Sequence, residues 1–140
     1  MARGRYEIYR NSEGEYRFAL VTVSGIPLAH SGAYKSLQLC KKGIASLRVN
    51  ADVPLDDKTE EFSGVSEHIR CPKIELIMDE NIGIGGYNFA VRAKNGNVIA
   101  TGEGYGTKKR CLEAITNLRY IAFGAETTEV FYGPVLNDKQ

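Results

Sequence analysis

The chain repeats itself. At an offset of 71 residues, segments 16–48 and 87–119 match at Tyr16/Tyr87, Phe18/Phe89, Ala19/Ala90, Gly25/Gly96, Ala29/Ala100, Tyr34/Tyr105, Cys40/Cys111, Ile44/Ile115, Leu47/Leu118 and Arg48/Arg119. A fixed-period echo defines the structural unit before any secondary structure is assigned, and here the unit occurs twice in 140 residues. A chain of that length buries roughly two-thirds of its unfolded surface, so two intimately joined halves need no covalent staple.

Each unit reads as three strands, a helix and a fourth strand. Tyr6–Tyr9 alternates apolar and polar side chains, and Asn11-Ser12-Glu13-Gly14 is a turn cluster. Tyr16–Val23 is rich in aromatic and β-branched residues, with Tyr16, Phe18 and Leu20 on one face and Arg17, Ala19 and Val21 on the other. Ser24-Gly25 closes a hairpin into Ile26–His30. Pro27 cannot donate to a ladder, so this third strand lies at an edge of the sheet or begins at the proline.

Ser36 is the natural N-cap of the first helix, and Leu37, Cys40, Ile44 and Leu47 form its apolar stripe. Gly43 interrupts that helix at about 1 kcal/mol relative to Ala, and the second copy carries Ala114 there, so the sequence predicts that Gly43→Ala stabilises. The helix ends near Asn50-Ala51-Asp52, and Pro54 stops it. The polar run Asp56-Asp57-Lys58 has the look of a linker. Thr59-Glu60-Glu61-Phe62-Ser63-Gly64 returns as Thr128-Glu129-Val130-Phe131-Tyr132-Gly133 at an offset of 69, which places the fourth strand there.

The second unit opens with Ile74–Met78. Its first turn, Glu80–Gly86, is three residues longer than its counterpart and reads as flexible. Asn95-Gly96 is a strong two-residue hairpin signal. Thr107 caps the second helix, whose stripe is Cys111, Ile115, Leu118 and Ala122. The boundaries are therefore 1–64 for the first unit, 65–73 for a connector, 74–133 for the second unit and 134–140 for a loose tail, all within one compact domain.

Several residues carry a resemblance. Gly-Glu-Tyr-Arg-Phe at Gly14–Phe18, an Asn-Gly turn followed by Val-Ile-Ala-Thr at Val98–Thr101, and Gly-Tyr-Gly-Thr at Gly104–Thr107 before a capped helix together resemble the YegP-like family, small bacterial and archaeal domains of unknown function. The resemblance spans both units. It implies one continuous antiparallel sheet with both helices on one face, and units that exchange their final strands. This chain departs from the family in its helix cysteines and in the longer Glu80–Gly86 turn. The resemblance carries over no catalytic residue.

Charge and cysteine usage narrow the function. A net charge of +1 predicts no strong general pull toward nucleic acid or membrane, and no apolar run approaches the ~20 residues of a membrane span. The N-terminus lacks the apolar core of a signal peptide. Three cysteines, odd in number and without a C-x-x-C pair, argue for free thiols in a reducing cytoplasm. His30 and His68 do not sit at zinc-ligand spacing from any of them. Cys40 and Cys111 lie on apolar helix stripes, where a thiol serves as a small hydrophobe. Cys71 lies in the connector without an adjacent base.

The remaining chemical signals are few. Glycines 102, 104 and 106 precede Lys108-Lys109, but their spacing fits neither nucleotide-loop motif. Lys108, Lys109 and Arg110 crowd the first turn of the second helix, where the macrodipole already disfavours cations. One reading is an anion site built from Thr107, Lys108, Lys109 and Arg110 with the free backbone N–H groups. The other is a solvated face partly neutralised by Glu103 and Glu113. Neither histidine has an evident Ser or Cys partner. Repetition of Tyr34 and Tyr105 in both units favours a structural role for them.

The sequence thus predicts an α+β protein of two fused β-β-β-α-β repeats with pseudo-two-fold symmetry. It is expected to be cytoplasmic, to need no cofactor or metal, and to lean away from enzymes; a small hydrolase or redox enzyme would require a cleft near Cys71 or His68. The leading function is a binding or interaction module for a protein partner, using the sheet face opposite the helices or the Glu80–Gly86 turn. The alternative is a binder of phosphate or nucleic acid at Thr107–Arg110. The expected state is a monomer with an internal pseudo-dimer, with room for further self-association.

Overall fold

The computed structural model describes residues 3–59, 69–79 and 86–130. Its elements run β1 (Gly4–Arg10), β2 (Tyr16–Thr22), β3 (Pro27–His30), α1 (Leu37–Asn50), β4 (Leu55–Asp57), β5 (Lys73–Met78), β6 (Tyr87–Arg92), β7 (Val98–Thr101), α2 (Lys108–Ile121) and β8 (Glu126–Glu129). The eight strands form one sheet in the order β4-β5-β6-β7-β3-β2-β1-β8, with both helices contributing to a single core on one of its faces. That face is where the alternation of each strand sends its large apolar side chains: Tyr6 and Ile8 from β1, Phe18 and Leu20 from β2, Ile74 and Leu76 from β5, Phe89 and Val91 from β6, all essentially inaccessible.

The halves exchange their end strands. β4, which follows α1, pairs with β5 of the second unit, and β8, which follows α2, pairs with β1 of the first. The six inner strands are antiparallel, as expected, but these two outer strands join in parallel. Parallel pairing requires a long connection between the strands: residues 58–72 join β4 to β5, and β1 and β8 are separated by nearly the whole chain. At the centre the halves meet along β3 and β7, where a single register pair, His30 with Thr101, joins them. These two residues are one another's counterparts at the repeat offset of 71.

The helices form where the stripes place them. Ser36 accepts from the Leu39 amide at 3.1 Å and Thr107 from the Arg110 amide at 3.1 Å, so each helix start has one of its orphan donors satisfied. Cys40, Ile44 and Leu47 are buried, as are Cys111, Ile115, Leu118 and Ala122. The matched tyrosines do matched work. The Tyr16 and Tyr34 backbones exchange hydrogen bonds at 2.8 and 2.7 Å, those of Tyr87 and Tyr105 at 2.8 Å, and Tyr34 and Tyr105 stack on Phe18 and Phe89.

Of the two alternatives for β3, the second holds: it begins at Pro27, in mid-sheet rather than at an edge, where the first position and an adjacent bulge opposite Leu20/Val21 leave the missing N–H harmless. Three expectations change. The fourth strand of the first unit starts at Leu55 rather than Thr59, and that of the second at Glu126 rather than Thr128. Residues 60–64 and 131–133 of the expected strands lie outside the described residues, as do connector residues 65–68, residues 80–85 of the long turn and the 134–140 tail. The run Asp56-Asp57-Lys58 is not a linker, since Asp56 and Asp57 belong to β4. Finally, a methyl group at Gly43 would land on the Tyr34 hydroxyl and 2.7 Å from its ring Cζ. The stacked Tyr34 ring needs that space, so Gly43 is a close-packing glycine, and steric crowding opposes the helix propensity that favours Ala there.

Candidate functional site

The basic start of α2 does not gather into one cluster. Lys108 turns to Asp57 of the exchanged strand β4, with Nζ 2.7 Å from the Oδ2 atom. Lys109 and Arg110 are exposed. A shallow trough of about 680 Å³ along α2 is lined by Lys108, Lys109, Glu113 and Thr116, without Arg110. Glu103, expected to neutralise this end, bonds to His30 instead. Two of the three glycines before the helix have local reasons: Gly104 takes φ +89°, and a Cβ at Gly102 would crowd the Phe89 ring at 2.5 Å.

A different set of side chains converges on the helix-free face, beside the central β3–β7 seam. The inward residues of β1 and β2 face the core, so Tyr9, Arg17 and Ala19 project from the other side. Tyr9 stands opposite Arg17, and Ala19 opposite His30. A depression of about 250 Å³ is lined by Tyr9, Arg10, Asn11, Arg17, Ala19 and His30. Each carboxylate that touches one of these side chains is already engaged. Glu7 accepts from the Tyr9 hydroxyl and pairs with Arg5, Glu15 accepts from the Asn11 amide at 3.1 Å, and Glu103 holds His30 Nδ1 at 2.6 Å. Arg10 and Arg17, by contrast, make no ion pair among the described residues.

His30 is the pivot of this region. The Glu103 hydrogen bond raises its imidazole above the ordinary value, against partial burial and the charge of Arg17. Its Nε2 lies 3.4 Å from the Thr101 hydroxyl. Carboxylate, imidazole and hydroxyl thus stand in the order of a nucleophilic triad, but 3.4 Å is longer than the ≈ 2.6–3.2 Å that proton abstraction needs. Sequence reasoning missed the His30–Glu103 pair because 73 positions separate them and only the β3–β7 seam brings them together.

A second charged constellation was also hidden. Lys73, nearly inaccessible, lies 2.7 Å from Asp56 and 3.2 Å from Glu75, and Arg92 closes on Glu75 at 2.7 Å. Burial alone would raise the Asp56 and Glu75 carboxyls, yet Lys73 with Lys58 outweighs it for Asp56, and Arg92 with Lys73 for Glu75, so both sit below the ordinary range. The Asp56 bond raises the Lys73 ammonium against the cost of burial. A lysine so held is protonated and is no nucleophile. Cys40 and Cys111 are equally unsuited to chemistry, since burial pushes their thiols up to about 11 and about 12. Cys71 is half-exposed, and His68 lies outside the described residues. Among the described residues no three His, Cys, Asp or Glu side chains group as metal ligands, and no helix is long and apolar enough to cross a membrane.

Comparison with known proteins places this architecture. The profile of a family described as "Domain of unknown function (DUF1508)" matches twice, at residues 11–57 and 85–129. A UPF0339 protein in the ptx operon 5' region of Stutzerimonas stutzeri is 26% identical over 127 residues, covering 91% of this chain and 96% of that protein. A UPF0339 protein of Methanosarcina acetivorans is 43% identical over 47 residues, 34% of this chain but 81% of its own length, so it is about one unit long. Two solution NMR structures share the fold. The protein of unknown function yegP from E. coli gives a TM-score of 0.73 at 22% identity, covering 95% of this chain and 97% of its own. A UPF0339 protein from Shewanella oneidensis gives 0.72 at 17%, covering 92% of each. With its matched halves and its end strands exchanged between them, the chain belongs to the DUF1508 family, YegP-like proteins whose function is unknown.

Proposed function

We propose that this protein is a non-catalytic binding module whose partner rests on the helix-free face of the sheet, over the depression beside His30. One observation carries the reading: Arg10 and Arg17 border that depression, and Arg17, on the helix-free face, makes no ion pair among the described residues, while the neighbouring carboxylates are all engaged. Cations in a concave site with satisfied surroundings are free to meet a complementary group. The neutral buried thiols support binding over turnover, and free cysteines suit a reducing cytoplasm. The test is capture from native lysate with the wild-type chain and with Ala19→Gln, which fills the depression. Species retained by the wild type and lost by the variant support the reading; identical retention by both overturns it.

A second reading rests on exposed Lys109 and Arg110 at the start of α2, which with Thr107 and Lys108 would hold phosphate or nucleic acid. Binding there would weaken steeply with salt and would shift amides 107–111.

A further inference from the structure

We infer that the depression on the helix-free face is an oxyanion subsite, taking the phosphate or carboxylate group of a small ligand between the Arg17 guanidinium and the His30 Nε2 atom. This rests on the binding role proposed for that face, and specifies what the face recognises. Arg17 lies two residues along β2 from Ala19, the register partner of His30, so the two side chains are diagonal neighbours within reach of each other. Their charges oppose one another, for Arg17 acts to lower the His30 imidazole. A bound oxyanion turns that repulsion into two attractions. Arginine's planar fork matches phosphate and carboxylate oxygens bidentately. Because Glu103 occupies Nδ1, the second donor of the protonated ring is Nε2–H, whose contact with the Thr101 hydroxyl is long at 3.4 Å and can be exchanged for an oxyanion oxygen.

The duplication supplies an independent argument. At the repeat offsets, Tyr9, Arg17 and His30 correspond to Ile77, Asn88 and Thr101 in the second unit. The same fold therefore accepts uncharged side chains at all three places. Asn88 spends its Oδ1 locally, accepting from the Phe89 and Gly104 amides at 2.9 and 3.3 Å. The cationic version is thus not a requirement of the sheet and exists in one unit alone. About 250 Å³ is below the ≈ 300–1,000 Å³ of a drug-sized pocket, a size suited to one oxyanion group and a short attachment.

Amide shifts of the full chain titrated with inorganic phosphate and, separately, with acetate test the inference, at about pH 6 and pH 8 and with Arg17→Gln alongside. Expected are saturable shifts around residues 9, 17–19 and 30–31, roughly tenfold weaker binding in Arg17→Gln with an unchanged melting temperature, and weaker acetate binding at the higher pH. The pH effect follows from His30, which Glu103, Thr101 and Arg17 face, losing its Nε2 proton. Phosphate and acetate arms distinguish the two sources of oxyanion. Shifts that do not saturate, that ignore Arg17→Gln, or that centre on 107–111 overturn the subsite. Should both anions fail while Ala19→Gln still abolishes lysate capture, the subsite falls and the binding face stands; should capture also be unaffected, both fall.

Discussion

Arg48 and Arg119, counterparts in the two units, each grip the chain that follows the other's helix. Arg119 donates to the Val53 carbonyl at 2.8 Å and the Ala51 carbonyl at 3.4 Å, and Arg48 donates to the Phe123 carbonyl at 3.1 Å. These carbonyls sit just beyond helix C-termini, where unsatisfied acceptors and the helix dipole favour a cation. Arg119→Ala is therefore expected to cost about 1.5–3 kcal/mol, the range for hydrogen bonds to a charged group. Urea melts would show it, and Arg119→Lys should recover only part of the loss because lysine lacks the fork.

Lys73→Met leaves Asp56 and Glu75 with only Lys58 and Arg92. Truncating a buried pair costs ~3–5 kcal/mol, and the remaining cations reduce that here to about 2–3. The sign of the pH dependence follows from the shifts. Asp56 and Glu75 are held low when folded, so their contribution is present above about pH 4.5 and is lost as pH falls through the folded values. Lys73 is held high, so its share persists below about pH 10 and is lost as pH rises further. Denaturant midpoints should change little between about pH 7 and pH 5 from these groups and fall between about pH 5 and pH 3, steeply for the wild type and less for Lys73→Met.

Gly43→Ala should destabilise by about 1–3 kcal/mol, the usual cost of overpacking, despite the better helix propensity of alanine. Both effects act at one atom, and the Tyr34 ring decides the sign. Ala114→Gly, at the matching site where a methyl is accommodated, is expected to cost about 1 kcal/mol. Thermal melts of the two variants would then both shift downward, for opposite reasons.

Thiol labelling separates the cysteines by environment. Cys71 should react with a chromogenic disulfide in the folded protein, while Cys40 and Cys111, buried on the helix stripes, wait for unfolding. One equivalent labelled at once and three in denaturant is the expected count.

Much of this fold was legible because its signals are local and apolar. The helix stripes, the Ser36 and Thr107 caps and the inner strands follow from spacing alone, and the repeat carried them twice. The end strands left no such trace. β8 is exposed along its whole length and β4 carries two aspartates in three residues, so neither shows a period-2 apolar pattern. The echo at 59–64 points to a strand in their place. Pairing within the sheet instead aligns Leu55 with Thr127, through their partners Ile74 and Tyr6. The site was less legible still. Asp56 meets Lys73, and His30 meets Glu103, only through strand pairing between the halves, and composition cannot foresee which charges a sheet will bury.

Because the outermost strand on each side comes from the opposite half, neither half owns its own border. A single peptide cleavage between β4 and β5 would separate the chain on paper while leaving two fragments clasped through both rims of the sheet.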